Sequence, residues 1–204
     1  GLLCFSTPEF LASLSAQNFE EFRRQVEELG ELTEPPKTYV AEGFESDARL
    51  SAIFYEGLSW QGRATRVFAW LGFPSETNAT PESQDAPKRF PAIVLVHGGG
   101  GTAFKEWVKL WNDRGYVAIS IAVEGQTDQR RGNGMRGWMS HEWKGPHRIG
   151  IYQDTEAPLK DQWMYHAVAD TILAHSLLAN LPQVDPERIG LMGISWGGVI
   201  ASTV

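Results

Sequence analysis

The sequence predicts an α/β domain with a mostly parallel sheet, preceded by antiparallel strands and an N-terminal helix. Continuous apolar runs at 91–96 and 116–123 are typical of strands buried on both faces of a parallel sheet. Helical patterns at 102–114 and 159–181 alternate with these runs, and such alternation favours parallel strands joined by right-handed crossovers. The stretch 37–74 instead shows short alternating runs, which predict antiparallel strands.

The composition is that of a globular protein and excludes several classes of partner. The chain has 204 residues, of which 42% are hydrophobic, so it can bury a sizeable core. It carries 18 Lys and Arg against 25 Asp and Glu, a net charge of −7, which argues against binding to nucleic acid or an anionic membrane. No apolar run is long enough for a membrane span. The single cysteine, Cys4, excludes an internal disulfide and a cysteine-rich metal site. Oligomeric state and compartment, cytoplasmic or exported, stay open.

Residues 1–36 predict a helical extension ahead of the main domain. Ser6 or Thr7 can cap a helix, Pro8 suits its first turn, and Gly30 suits the position just past its end. Apolar residues recur at helical spacing between these signals, and we expect this face to pack on the domain. They are Phe10, Leu11, Leu14, Phe19, Phe22, Val26 and Leu29.

Residues 37–204 predict the main domain, with strands first and alternating elements afterwards. Its first part has three antiparallel strands and turns at 56–57 and 61–62. A polar loop at 74–91 separates this part from the alternating elements. The predicted elements are strands 39–44, 50–55 and 65–73, strand 91–96, helix 102–114 ending before Gly115, strand 116–123, a long loop at 124–158, helix 159–181, strand 188–194, and a helix from Gly197.

A G-x-S-x-G motif lies at the last predicted strand-to-helix joint. It reads Gly193-Ile194-Ser195-Trp196-Gly197 and is a weak signal when taken alone. The apolar strand before it and the helical run after it are the context of a nucleophile elbow, a sharp turn that exposes the serine hydroxyl. Side chains flanking such a turn would collide across it, which gives both glycines a steric reason. We therefore predict Ser195 as a nucleophile and the Trp196 N–H as an oxyanion donor.

A second glycine motif follows the first buried strand and has two interpretations. His97 and the four glycines after it fit the oxyanion turn of esterases, in which the N–H of Gly99 or Gly100 reaches the carbonyl oxygen. The run 98–103 also fits the G-x-G-x-x-A motif of a dinucleotide-binding fold, with Glu124 as the ribose-binding acid. The dinucleotide interpretation leaves the elbow and the leading antiparallel strands unexplained, so we favour the hydrolase.

With these residues in view, the chain resembles the α/β-hydrolase superfamily, and within it the acetyl xylan esterase/cephalosporin-C deacetylase and dienelactone-hydrolase-like group. The resemblance covers about residues 38–204, is clearest from Pro91 onward, and centres on the approach to the elbow, 181–198. That approach is also similar in prolyl-oligopeptidase-type peptidases. Gly125-Gln126 resembles the Arg-Gly-Gln motif of the deacetylases, with Glu124 at the position of their arginine, and residues 135–137 resemble a short motif in the following loop.

The resemblance implies an α/β-hydrolase fold and hydrolysis of a short acyl ester, such as an acetyl ester of a carbohydrate or similar alcohol. The reaction would pass through an acyl-serine at Ser195 and need neither cofactor nor metal. His97, Gln126 and Trp138 are the expected supporting or pocket residues, and the aromatic loop with Trp138 and Trp143 is hypothesised to shape the pocket.

In this fold the chain order is serine, then acid, then histidine. We therefore expect the triad acid and histidine to lie outside these 204 residues and the domain to be incomplete at its C-terminus. The upstream candidates are predicted to have structural roles rather than catalytic or metal-binding ones. They are His141, His147, His166, His175, Asp154, Asp161 and Asp170.

Two alternatives remain for the function. A prolyl-oligopeptidase-type serine peptidase shares the elbow, but we expect it to carry a β-propeller before the hydrolase domain. A non-catalytic hydrolase-fold domain used for binding would share this part of the fold and lack an intact acid and histidine.

Overall fold

The computed structural model describes residues 19–75, 89–132 and 135–204. The first half of the predicted N-terminal helix and most of the predicted polar loop at 74–91 lie outside these ranges. The elements, in chain order, are helix α1 (described at 19–27), strands β1 (Thr38–Val40), β2 (Leu50–Glu56), β3 (Arg66–Gly72) and β4 (Phe90–Val96), helix α2 (Lys105–Asp113), strands β5 (Val117–Ile121), β6 (Gln126–Arg130) and β7 (Trp138–Ser140), helix α3 (Trp163–Ala179), strand β8 (Val184–Gly193) and helix α4 (Trp196–Ala201). Short 3₁₀ helices lie at Glu28–Glu31 and Leu159–Asp161.

Six strands form one mixed sheet in the order β1-β2-β3-β5-β4-β8. β1, β2, β3 and β5 pair in the antiparallel sense, whereas β4 pairs in parallel with both β5 and β8. The predicted antiparallel leading strands and the parallel strands behind them are therefore confirmed. Because β4 and β8 run in parallel, their carboxyl ends lie side by side, and the chain leaves each strand there at one of the two glycine motifs.

Helices on both faces of the sheet bury the parallel strands. On one face, Val94, Val96 and Ile119 pack with the apolar side of α3 and with Ile200 of α4. On the other face, Ile93 and Leu95 pack with Val108 of α2. Alternate residues of β4 thus enter two different cores, which explains its continuous apolar run.

The N-terminal segment contacts the domain differently from the sequence prediction. Leu29, at 4% exposure, packs with Tyr165 and Ala169 of α3. Phe19, Phe22 and Val26 of α1 are 66%, 50% and 53% exposed, so the predicted packing of this face was wrong for these three residues.

Two predicted boundaries differ from the structure for local reasons. Helix α2 begins at Lys105 rather than at Thr102, because the Phe104 N–H donates to Ser120 Oγ at 3.0 Å and holds the chain extended. The segment predicted as a loop at 124–158 contains an antiparallel hairpin of β6 and β7. The Trp70 indole donates to Asp128 at 2.9 Å and ties this hairpin to the sheet. The polar residues of β6 do not alternate with apolar ones, so the sequence pattern does not reveal it.

Candidate active site

Ser195 lies on a tight turn between β8 and α4, in a strained backbone conformation. Its φ of 55° and ψ of −118° fall where side chains other than glycine are rarely found. A Cβ on Gly193 would overlap the backbone carbonyl of Gly197, and a Cβ on Gly197 would overlap that of Val96. Both clashes are with backbone, so neither can be relieved by a side-chain rotation. The turn therefore requires glycine on both sides of the serine.

The serine is accessible, and the first backbone N–H of the following helix is free. Ser195 is exposed, and its hydroxyl has no hydrogen-bond partner among residues 19–75, 89–132 and 135–204. Within the same ranges the N–H of Trp196, the first residue of α4, has no acceptor. An oxygen bound near Ser195 can therefore accept a hydrogen bond from this N–H, at the positive end of the helix.

The glycine loop after β4 packs directly against the serine turn. A Cβ on Gly98 would lie 3.2 Å from Cβ of Ser195 and 3.1 Å from the carbonyl oxygen of Ile194. A Cβ on Gly99 would lie 2.7 Å from Nη2 of Arg148 and 2.8 Å from Cδ1 of Trp196. Backbone N–H groups of this loop can approach a bound carbonyl because these positions carry no side chain. The Gly99 N–H has no acceptor among the described residues.

His97 fastens the glycine loop to the end of the neighbouring strand. Its Nε2 accepts a hydrogen bond from the Val123 N–H at 3.1 Å, and its Nδ1 lies 2.6 Å from the Gly98 carbonyl oxygen. The ring is therefore neutral with its proton on Nδ1. Burial lowers its pKa, despite the opposing effects of the Gly98 carbonyl and Glu124. Both nitrogens are occupied, so in this arrangement neither can take a proton from Ser195.

Glu124 and Arg148 form an ion pair next to the glycine loop, in which Glu124 is buried and Arg148 is partly exposed. Both carboxylate oxygens of Glu124 accept the Gly100 N–H at 3.2 Å, and Oε1 also accepts from Arg148 Nε at 3.0 Å. Glu124 is 6% exposed. The Arg148 guanidinium also donates to the Gly150 carbonyl and lies 5.9 Å from the Trp196 ring centre. Glu124 is thus already bonded within the loop, which removes it as the ribose-binding acid of the dinucleotide interpretation.

Aromatic side chains surround Trp196. Tyr152 meets its ring edge-on at 5.4 Å between centres, and Trp163 does so at 5.6 Å. The Trp163 indole also donates to the Val123 carbonyl oxygen at 2.6 Å. Neither Tyr152 nor Trp163 can be identified as a site residue from the sequence, because each comes from a different segment and only the fold brings them to the elbow.

Residues 12–204 match the family model described as acetyl xylan esterase (AXE1). The chain belongs to this family. The predicted resemblance to the α/β-hydrolase superfamily is confirmed.

Two solved structures show the same fold as this acetyl xylan esterase family member. The acetyl xylan esterase from Paenibacillus sp. R4 is 21% identical with a TM-score of 0.55, over 87% of this chain and 52% of that one. Acetyl xylan esterase 1 from Thermoanaerobacterium sp. JW/SL YS485 is 17% identical with a TM-score of 0.54, over 90% and 53%. The chain therefore spans about half the length of these two proteins.

One relative of this chain carries the name of a peptidase. The probable dipeptidyl-peptidase 5 of Emericella nidulans is 28% identical over 169 residues, which is 78% of this chain and 20% of that protein. The likeness is thus confined to about a fifth of the relative.

The two remaining predicted site residues, Gln126 and Trp138, lie on the β6–β7 hairpin. Gln126 pairs with Ser140, and its Oε1 is buried without a hydrogen-bond partner among the described residues. Trp138 meets the Phe104 ring at 5.7 Å and stacks under the Arg130 guanidinium at 3.6 Å. The structure thus brings Ser195, Trp196, His97 and the glycine loop together, and places Gln126 and Trp138 on a separate hairpin.

Three other titratable residues named as candidates from the sequence, His141, His166 and Asp170, are buried or partly buried within the protein. His166 Nε2 lies 2.9 Å from the Lys160 carbonyl oxygen, and burial lowers the pKa of His166. Burial also lowers the pKa of His141 to about 4, and its ring packs edge-on against Phe54 at 4.9 Å. Burial raises the pKa of Asp170 to about 8. In the described ranges, no group of three or more His, Cys, Asp or Glu is arranged to hold a metal ion, and no helix is long and apolar enough to cross a membrane.

Proposed function

We propose that Ser195 is the nucleophile of a serine esterase that removes a short acyl group, such as acetyl, from a carbohydrate or similar alcohol. The observation that carries the proposal is the strained Ser195 turn, with glycine required on both sides and the glycine loop packed against it. A strained serine on a strand-to-helix turn is the nucleophile elbow. Membership of the acetyl xylan esterase family supports an acyl ester as the substrate.

In the proposed reaction Ser195 Oγ attacks the ester carbonyl, and backbone donors hold the oxyanion that develops. The N–H groups of Trp196 and Gly99 fit this role, because both are free among the described residues and both flank the serine. The Gly100 N–H is engaged by Glu124, which leaves Gly99 as the donor from the loop. One such donor is worth about 10²–10³ in rate.

The general base and its orienting acid are proposed to lie outside residues 1–204. A serine nucleophile needs a base that removes its proton. Ser195 has no hydrogen bond to any of the five histidines, all of which lie in the described ranges. The alcohol leaves with the proton from the base, and water then releases the acid from the acyl-serine. Gln126 and Trp138 are proposed to contribute to the substrate pocket from their hairpin. Ester hydrolysis through an acyl-serine requires no cofactor or metal.

A serine peptidase is the second candidate. Its support is the similarity to the dipeptidyl-peptidase 5 of Emericella nidulans, which would use the same elbow on an amide. A third alternative, a binding domain with this fold, would leave the serine inactive.

The test is intact-mass spectrometry of the protein purified from its native source, before and after a fluorophosphonate probe, with Ser195→Ala as control. One adduct that is absent from the variant supports an activated serine. No adduct on the native protein overturns the nucleophile and favours the binding domain. Hydrolysis of acetyl esters in preference to dipeptidyl anilides then separates the esterase from the peptidase.

A further inference from the structure

The glycine loop is a β-turn with no side chain of its own to fix its conformation. The Gly101 N–H donates to the Gly98 carbonyl oxygen at 3.0 Å, which closes a four-residue turn. Gly100, at its third position, has a φ of +72°, as in a type II turn. All four residues are glycine, so the turn depends on its surroundings to select one conformation.

The conformation to be selected is the orientation of the peptide between Gly99 and Gly100. Type I and type II turns differ by a rotation of this central peptide through roughly 150–170°. In the observed orientation the Gly100 N–H points at the Glu124 carboxylate, at 3.2 Å from both oxygens. Rotation would turn the Gly99 carbonyl oxygen towards that carboxylate and place two acceptors face to face. Glu124 therefore stabilises one of the two turns and destabilises the other.

Arg148 allows this carboxylate to stay charged while buried. Glu124 is 6% exposed, and a buried carboxylate is costly unless it is paired and hydrogen-bonded. The guanidinium supplies the pairing at 3.0 Å. It also lies against Gly99 and beside Trp196, so its positive charge is on the same side as the two proposed oxyanion donors.

We propose that Glu124 and Arg148 are positioning residues for the oxyanion turn: Glu124 sets the orientation of the Gly99–Gly100 peptide, and Arg148 holds and neutralises Glu124. The catalytic part rests on the proposed esterase function, because it assigns the Gly99 N–H as an oxyanion donor. The structural part, the protection of the Gly100 N–H by Glu124, holds independently of any activity.

The first experiment measures the structural part. Amide hydrogen exchange of Gly100 is followed by NMR in the full-length protein and its Glu124→Gln and Glu124→Ala variants. The Gly100 N–H exchanges slowly in the native protein and in Glu124→Gln, which keeps an acceptor oxygen, and at least about tenfold faster in Glu124→Ala. Glu28→Ala, which removes a carboxylate from an exposed ion pair with Lys160, is the matched control and leaves Gly100 exchange unchanged. Equal Gly100 exchange in Glu124→Ala and the native protein overturns the inference.

The second experiment measures kcat and KM for an acetyl ester with the same proteins. Glu124→Ala lowers kcat by about 10- to 100-fold and changes KM by less than about threefold. This loss of kcat is no larger than the loss expected when one oxyanion donor is removed completely. Glu124→Gln lowers kcat by no more than about threefold. A purely structural role for Glu124 would lower the fraction of folded enzyme and leave the kcat of the folded fraction, counted by fluorophosphonate titration, unchanged.

If Glu124→Ala does not fold, substitutions that change the charge at Arg148 and Glu124 replace it. Arg148→Met leaves Glu124 buried, unpaired and close to the developing oxyanion, so kcat falls. Adding Glu124→Gln to Arg148→Met removes that charge, and the double variant is expected to be at least about fivefold faster than Arg148→Met alone. A double variant no faster than Arg148→Met overturns the charge-compensation role. If the native protein hydrolyses no ester, the proposed function fails, and Gly100 exchange still decides the structural part.

Discussion

The backbone N–H of Val123 donates a hydrogen bond to Nε2 of His97 at 3.1 Å, and so connects the end of β5 to the residue just before the glycine loop. The opposite ring nitrogen binds the Gly98 carbonyl oxygen. Both hydrogen bonds require the neutral ring with the proton on Nδ1, because an imidazolium would turn Nε2 into a second donor facing the Val123 N–H. His97 therefore supports the loop only while it is uncharged.

His97→Gln is expected to destabilise the protein more at pH 7.5 than at pH 5.5. Since burial lowers the folded-state pKa of His97 below its usual value near 6.5, its contribution is present above that value and is lost as the pH falls. Loss of two buried hydrogen bonds lowers the free energy of unfolding by about 2 kcal/mol at pH 7.5. Urea unfolding at both pH values measures the difference.

The exposed His147 provides the control for this experiment, since His147→Gln should change the free energy of unfolding by less than about 0.5 kcal/mol at either pH. If the effect of His97→Gln is the same at pH 5.5 and 7.5, the neutral-ring requirement is wrong.

Alanine is expected to be tolerated at Gly198 but not at the elbow glycines Gly193 and Gly197. Gly193→Ala and Gly197→Ala each introduce a Cβ into backbone carbonyl atoms, so we expect a loss of at least about 4 kcal/mol or failure to fold. Gly198→Ala is the matched control one position away. A Cβ there would lie 3.4 Å from the Gly193 carbonyl oxygen, an ordinary contact, and alanine favours the helix by up to about 1 kcal/mol. Thermal unfolding of the three variants tests the contrast, and a stable Gly193→Ala protein would contradict the geometry.

The contrast between these motifs and the hairpin shows which parts of the structure could be predicted from sequence. The elbow and the parallel strands were predicted because backbone sterics at Gly193 and Gly197, and burial of both faces of β4, leave local patterns. Strand β6 was missed because it is held by a distant contact, Trp70 to Asp128. The replacement of the motif arginine by Glu124 was visible in the sequence, but its partner Arg148, 24 residues further on, was identified only from the structure.

The free energy of unfolding of Asp170→Asn, relative to that of the native protein, is expected to increase as the pH rises. Burial raises the folded-state pKa of Asp170 to about 8, so the folded state holds a proton that the unfolded chain releases near pH 4. Its contribution to stability is full below about pH 4 and is lost as the pH rises through about 8. One proton changes the free energy of unfolding by about 1.4 kcal/mol per pH unit within this window, so the variant gains about 3 kcal/mol relative to the native protein between pH 5 and 7.5.

Chemical denaturation at pH 5 and 7.5 measures this gain. Asp113→Asn, on the exposed end of α2, controls for the general effect of removing a carboxylate and should show no such gain. A gain of less than about 1 kcal/mol for Asp170→Asn would mean that the carboxyl group is already ionised at neutral pH.

Tyr152→Ala is expected to change substrate preference with little effect on stability. Tyr152 is 59% exposed, and its ring makes a T-shaped contact with Trp196, beside the proposed nucleophile. Surface substitutions of this kind change the free energy of unfolding by about 0.5 kcal/mol or less. Removal of the ring opens the site next to Trp196, so the ratio of kcat/KM for butyryl over acetyl esters should rise several-fold. The same assay on Trp138→Ala tests whether the β6–β7 hairpin contributes to the substrate pocket.

Trp143→Ala serves as the contrasting variant, because the contacts of Trp143 are those of a packing residue. Its ring packs against Phe54 at 5.6 Å and lies under the Arg66 guanidinium at 4.4 Å, next to the second core. Its removal should lower the free energy of unfolding by about 2 kcal/mol or more and leave the ester ratio unchanged. If instead Tyr152→Ala lowers stability and leaves the ester ratio unchanged, the ring is a packing element of α4, and the acyl group binds elsewhere.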